Sequence, residues 1–239
     1  MTLYDEIARA TFRIECGNSS GSGFVFKRDS IIITNNHVIK NHIENRSEIY
    51  AVTESGERTS TKLISSSDEY DYAILEITGE IPDNIFILQP ETSKEPARGT
   101  SVIFSGFPHG IHKLLVHKCV ISGVDESVFY VDGSVNPGNS GGPIIDFDTG
   151  HVVGIVTMRR FLGAPDLQDA IKNFKGIEQY CIDVSSSGQQ IVIGGIKLIN
   201  FFMLLAQRLN VISSVLEANA NTGIGIGYRI QFVDAEVAD

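Results

Sequence analysis

From Ala10 to Met158 the chain is a succession of short β-prone runs, each closed by glycine, proline, asparagine, aspartate or serine. The runs are Thr11–Cys16, Gly23–Lys27, Ser30–Thr34, Ser47–Thr53, Thr61–Ser65, Ala73–Thr78, Thr100–Gly106, Leu114–Ser122, Ser127–Asp132, Pro143–Phe147 and His151–Met158. Their spacing predicts an all-β sandwich or barrel. Ahead of them, Leu3–Ala10 suits one or two turns of helix. Beyond them the period changes. Leu167, Ala170, Ile171 and Phe174 have helix-compatible spacing within an insertion over 159–178. Tyr180–Val184 reads as a strand closing the second half of the fold, and Gln189–Ile193 as strand-like. From about Ile196 to Ala218, Leu198, Phe201, Phe202, Leu205, Leu209, Ile212, Val215 and Leu216 follow the 3.6-residue period of a helix. Ile224–Val233 reads as a terminal strand or hairpin.

Pro82, Pro90 and Pro96, set among acidic residues, mark a connection between two lobes. The expected organisation is a lobe over 1–95, a second over 96–185, and an extension over 186–239.

Composition narrows the class. Of 239 residues, 42% are hydrophobic and 20% charged, the balance of an ordinary globular protein with a sizeable core. A formal charge of −10 argues against a nucleic-acid partner. Cys16, Cys119 and Cys181 are odd in number and far apart, which points to a reducing compartment rather than a disulfide framework. Met1–Cys16 has no continuous apolar core of a secretory signal, so a cytoplasmic location is expected. Ile196–Leu216 is interrupted by Lys197, Asn200, Gln207, Arg208 and Asn210 and falls short of a membrane span. His109, His112, His117 and Cys119 lie close together but fit no closed zinc pattern, so no metal and no cofactor are expected.

The stretch with chemistry in it is Gly138-Asn139-Ser140-Gly141-Gly142-Pro143, a polar turn between two strands. A serine hydroxyl becomes a nucleophile only with a base to take its proton and donors to hold the oxyanion it creates. Glycines beside it allow a backbone that points N–H groups into one hollow. By itself the hexapeptide is also a glycine-rich β-turn with a surface serine.

Two further stretches precede it: Gly21-Ser22-Gly23-Phe24 followed by Thr34-Asn35-Asn36-His37-Val38-Ile39, and Asp71-Tyr72-Ala73-Ile74-Leu75. In this order the three segments resemble trypsin-like serine proteases, and Asn136–Pro143 is most similar to the HtrA/Deg branch. Ser105–Gly110 and Ile121–Val124 resemble the same branch's second lobe. The resemblance covers about Thr11–Val184 and leaves the tail, too short for a PDZ domain, unexplained. It implies a mainly β chymotrypsin-like fold of two six-stranded antiparallel barrels, with a C-terminal helix and terminal strand. It also implies a triad of His37, Asp71 and Ser140, in an order that separates it from subtilisins and α/β-hydrolases. Asp68 and Glu69 compete with Asp71, which is preferred because it directly precedes the apolar run.

On the same resemblance the N–H groups of Gly138 and Ser140 form the oxyanion hole. Ser134 floors the specificity pocket, and Thr157, Met158 and Arg159 wall it. An uncharged floor gives no support for Lys or Arg at the cleaved position, and Thr157 stands where it can brace Asp71. Asn139 replaces the aspartate that pairs with a new N-terminus in digestive enzymes. The expected partners are a protein or peptide substrate and, for control, a regulatory protein or further copies of the chain. The 159–178 insertion is expected to be either a lid or partner-docking element or an inert surface excursion. A non-catalytic peptide-binding double barrel and an esterase-type hydrolase are the competing functions.

Overall fold

A computed structural model describes residues 2–109, 111–161, 165–187, 192–193, 196–219 and 221–237. Side chains are described throughout except at 158–161, 165–168, 170, 192–193, 196–200, 217–219 and 221–222. The chain opens with α1 (Leu3–Ala10), whose first turn is closed by a reciprocal Thr2–Asp5 capping box. Six strands follow: β1 (Thr11–Cys16), β2 (Ser19–Phe26), β3 (Arg28–Thr34), β4 (Ile49–Val52), β5 (Arg58–Ser67) and β6 (Tyr72–Ile77). They close into an antiparallel barrel in the order β1-β2-β3-β6-β5-β4. A 3₁₀ turn at His37–Ile39 and α2 (Lys40–Asn45) fill the β3–β4 connection.

The second barrel uses β7 (Ser101–Gly106), β8 (Leu115–Val124), β9 (Val128–Asp132), β10 (Pro143–Asp146) and β11 (Val152–Phe161). After β11 come α3 (Pro165–Ser186), the two-residue strands β12 (Val192–Ile193) and β13 (Ile196–Lys197), and α4 (Leu198–Asn219). The sixth strand of the barrel is β14 (Asn221–Arg229), placed between β11 and β9, and α5 (Gln231–Asp234) follows it. The two closed barrels are those of the chymotrypsin fold.

One expectation is overturned. Tyr180–Val184 is helical, inside α3, and the closing strand is β14. Tyr180, Ile182 and Val184 do alternate, but the run is only five residues. Around it Ile171 and Cys181 are buried at helical spacing, and Ser185 Oγ donates back to the Cys181 carbonyl. Two periods coincide over such a short run, and the longer one prevails. The second barrel is therefore not contiguous in sequence over 96–185.

By internal contacts the chain forms two units, 1–160 with 223–239, and 161–222. In the first, each barrel has its own core, and a third cluster lies between them. Phe24, Phe26, Ile31 and Ile33 of the first barrel meet Ile103, Ile145, Val152 and Ile155 of the second there. Ile230, Val233 and Val237, after β14, pack into the same cluster. Their segment is pinned to the first barrel. Lys27 Nζ is 2.7 Å from Asp234 Oδ1, Tyr72 donates to Glu236 at 2.5 Å, and Tyr70 stacks on Phe232 at 3.9 Å. The second unit is a helical hairpin in which Ala206, Leu209 and Ser213 form the buried row of α4. No described helix is long and apolar enough to cross a membrane.

Candidate active site

β3 carries three consecutive buried isoleucines and ends in buried Thr34, and Asn35 and Asn36 after it are buried too, so the chain leaves the barrel on a rigid base. His37 begins the next turn. Its backbone N–H donates to Asp71 Oδ1 at 3.1 Å and its Nδ1 lies 2.7 Å from Asp71 Oδ2. Asp71 sits just before β6 with φ +48°, a conformation uncommon for a residue with a side chain. Asn35 Nδ2 donates to its carbonyl at 2.7 Å, and the Thr157 hydroxyl donates to its Oδ2 at 2.5 Å. Asp68, the nearest competitor, accepts a hydrogen bond from Asn36 Nδ2.

Ser140 reaches the same cleft from the second barrel. The cleft, about 880 Å³, is lined by His37, Asp71, Ser140 and Thr157 together with Val135, Asn136, Pro137 and Tyr228. Ser140 Oγ donates to the Thr157 carbonyl at 3.0 Å. Gly138 has φ +99°, and a Cβ there would fall 2.3 Å from the Phe107 carbonyl oxygen. Gly141, at φ +88°, lies against Ser22, where a Cβ would come 2.1 Å from the carbonyl oxygen. The Pro137 carbonyl accepts from the His109 N–H at 2.8 Å, and the Gly138 carbonyl from Ser22 Oγ at 2.7 Å. The Asn139 N–H donates to the Asn136 carbonyl at 3.0 Å, and the Asn139 carbonyl accepts from the Gly142 N–H at 3.0 Å. Asn139 is fully buried, and its side-chain amide has no hydrogen-bond partner among the described residues.

The specificity pocket departs from expectation. Ser134 is exposed and does not line the cleft; buried Val135 does. The reason lies in β14. Val135 fills the space over Gly225, where a Cβ would fall 2.4 Å from its Cγ2, and this turns the preceding residue outward. The side chains of Met158 and Arg159 lie outside the described residues. Of the histidines and cysteine considered for a metal, His117 stacks on Phe104 at 4.6 Å, where burial lowers its pKa. Cys119 is buried in the second barrel, which pushes its thiol up to about 12.

Two residues of the site were not singled out from sequence. Ser22 is fully buried and uses every polar group it has. Its hydroxyl donates to Gly138 O and accepts from the Phe107 N–H at 2.9 Å. Its own N–H donates to the Ser140 carbonyl at 2.7 Å, and its carbonyl accepts from Thr34 Oγ1 at 2.6 Å. The available signal was a serine inside a strand that buries six residues in succession, where an unpartnered hydroxyl would be costly. Tyr228 comes from β14, a terminal strand expected from sequence but not expected inside the second barrel. Burial, reinforced by the nearby Asp71 and Glu69 charges, raises its phenol pKa.

Comparison with known proteins points to the same fold and to a family. Residues 21–155 match the trypsin-like peptidase domain. Serine protease Do-like HtrA of Bacillus subtilis is 32% identical over 159 residues, 59% of this chain and 34% of that protein. Serine endoprotease DegS of Haemophilus influenzae is 28% identical over 151 residues, 59% of this chain and 42% of its own. The chain thus spans well under half the length of these relatives. The crystal structure of the serine endoprotease from Yersinia pestis superposes with a TM-score of 0.56 at 24% identity, covering 67% of this chain and 58% of that one, a likeness of fold. The matched domain takes in more than half of the chain and contains the three segments whose side chains meet in the cleft. The chain belongs to the trypsin-like peptidase family, and its likeness runs to the HtrA branch of it.

Proposed function

We propose that the chain is a serine endopeptidase working through a Ser140–His37–Asp71 triad and an acyl-enzyme. Support comes chiefly from one observation. A single cleft receives the Ser140 hydroxyl from one barrel and, from the other, an imidazole whose Nδ1 is held by a carboxylate at 2.7 Å. Asp71 fixes the tautomer that leaves Nε2 free to accept a proton, and stabilises the imidazolium once formed.

Attack begins when Ser140 Oγ turns from the Thr157 carbonyl towards His37 Nε2 and gives up its proton. The Oγ–carbon bond forms, and the carbonyl oxygen takes the negative charge under the N–H groups of Gly138 and Ser140. His37 then protonates the leaving amine as the C–N bond breaks. A water deprotonated by His37 attacks the acyl-enzyme, and the proton returns to Ser140 Oγ as the acid departs.

Thr157 serves as positioning residue for Asp71, and Val135 with Tyr228 bounds the cleft beside the nucleophile. An apolar wall at Val135 suits a small or medium uncharged side chain in the substrate. Activity is restricted by specificity or by a partner, for which the 161–222 unit, entered from β11 and left into β14, is the candidate. A reducing compartment such as the cytoplasm suits three buried, unpaired cysteines. Relatives named as periplasmic, such as that of Hahella chejuensis, are the reason to test this by fractionation. Cleavage of a peptide library by the wild type and not by Ser140→Ala tests the activity. An ester-only substrate range would assign the same triad to an esterase. Loss of turnover on the order of a millionfold is expected for Ser140→Ala.

A further inference from the structure

The cleft that holds Ser140 has two walls of different chemistry. Val135, Asn136, Pro137, Thr157 and Tyr228 belong to the second barrel and carry no formal charge. The wall from the first barrel holds the carboxylate, imidazole and ammonium groups that line the cleft: His37, Lys40, Glu44, Asp68 and Asp71, with the exposed side chain of Ile43 among them. All but one of these groups are matched. His37 Nδ1 lies 2.7 Å from Asp71, and Lys40 Nζ lies 3.5 Å from Glu44. Asp68 remains, and it makes no ion pair among the described residues. Its Oδ1 accepts from Nδ2 of the buried Asn36, the residue before His37. That bond holds the carboxylate at the wall with Oδ2 left over, and a group already oriented loses less freedom when it takes a ligand.

The course of a substrate brings a side chain to it. In an extended peptide successive side chains point to opposite sides, so when the residue at the cleaved bond turns to Val135, its neighbours turn to the first-barrel wall. His37 Nε2 has to meet the leaving nitrogen, which puts the leaving half at that edge of the imidazole. The acyl half is carried towards the Nδ1 edge, where Asp71 and the turn bearing Asp68 stand. We propose that Asp68 selects a Lys or Arg directly before the residue whose bond is cut, with the aliphatic stem of that side chain against Ile43 and its charge at the carboxylate. The proposal rests on the serine endopeptidase reading and adds the charge of the substrate to it.

Short fluorogenic peptides test it, alike except for Lys, Ala or Glu directly before a Val at the intended bond, with one more that carries the Lys directly after the bond. At low salt the wild type should cleave the Lys peptide with a kcat/KM about 10-fold above that of the Glu peptide, attraction in one and repulsion in the other each counting a few-fold for exposed charges. The ratio should shrink as salt is added. Asp68→Asn, which keeps an acceptor for Asn36, should bring it to within about twofold, and Asp68→Lys should invert it. Anisotropy with Ser140→Ala reads the same order without turnover, so charge discrimination in binding with no cleavage by the wild type would sink the catalytic reading and keep this one. Cleavage that ignores the charge overturns the inference and leaves the catalytic reading standing, with Asp68 an ordinary solvated carboxylate. A Lys preference that survives Asp68→Asn, or that appears only after the bond, overturns it as well, as does neither cleavage nor binding of any of the peptides.

Discussion

The hydroxyl of Ser22 shows how far a single side chain can reach. It joins the carbonyl of Gly138 to the N–H of Phe107 while its own backbone grips Ser140 and Thr34, so both barrels hold the nucleophile loop through one residue. Ser22→Ala leaves a buried carbonyl and a buried N–H unpartnered, and frees Gly138 to rotate. Turnover should fall by about 10- to 100-fold with KM nearly unchanged, since the lost interaction orients oxyanion donors rather than substrate. Ser22→Cys should recover part of the loss; an equal fall in kcat for both, or a change confined to KM, would speak against the role. Thr157→Val removes one donor from Asp71 and should lower kcat without altering the chain's melting temperature by more than a few degrees.

Among the elements, β14 matters most for the site, and its sequence marks a terminal strand without showing that it completes the second barrel. Ile224 and Ile226 alternate with Gly223, Gly225 and Gly227, so the run carries few side chains and little strand propensity. Its glycines are occupied by neighbours: a Cβ on Gly227 would fall 2.4 Å from Ile144 Cδ1. Close approach to β9 and to the residues under the cleft replaces side-chain packing as the reason for a strand. Truncation after Asn219 removes this strand and the interbarrel residues Ile230, Val233 and Val237. The shortened chain should lose its cooperative melt and all reaction at Ser140; a truncated chain that still reacts would show that five strands suffice.

Elsewhere the elements were legible because their apolar periods are long or repeated. The first eleven strands are short apolar or alternating runs bounded by turn residues, and the α4 helix follows a 3.6-residue stripe over more than five turns. The assignment fails where that signal is short, at Tyr180–Val184; at 223–227 the strand is expected, but glycines in place of apolar side chains hide which sheet it joins. At the site, His37, Asp71 and Ser140 stood out because each closes or opens a strong strand. Ser134 misled because which of two adjacent residues faces the cleft depends on β14, not on its own neighbours.

In the first unit, stability depends on what ties the lobes together. Glu91, in the connection between them, is buried against the turn between β10 and β11. Burial opposes its charge, but hydrogen bonds from Ser93 and Thr149 outweigh that and hold the carboxyl down to about 2. Unfolded, it returns to the ordinary value of 4.5. A folded-state pKa below the unfolded one means the stabilisation is complete above 4.5 and is lost as pH falls towards about 2. The melting temperature of the wild type should therefore drop more steeply than that of Glu91→Gln as pH is lowered through this window. Parallel curves would mean that Glu91 is not ionised against its partners.

Activation of Ser140 by His37 is measured directly by reaction with a fluorophosphonate followed by mass spectrometry. The prediction is one adduct per chain, on Ser140, formed rapidly by the wild type, absent from Ser140→Ala and slowed by on the order of a thousandfold or more in His37→Ala. An adduct on another residue, or one on Ser140 that forms as fast without His37, would contradict it.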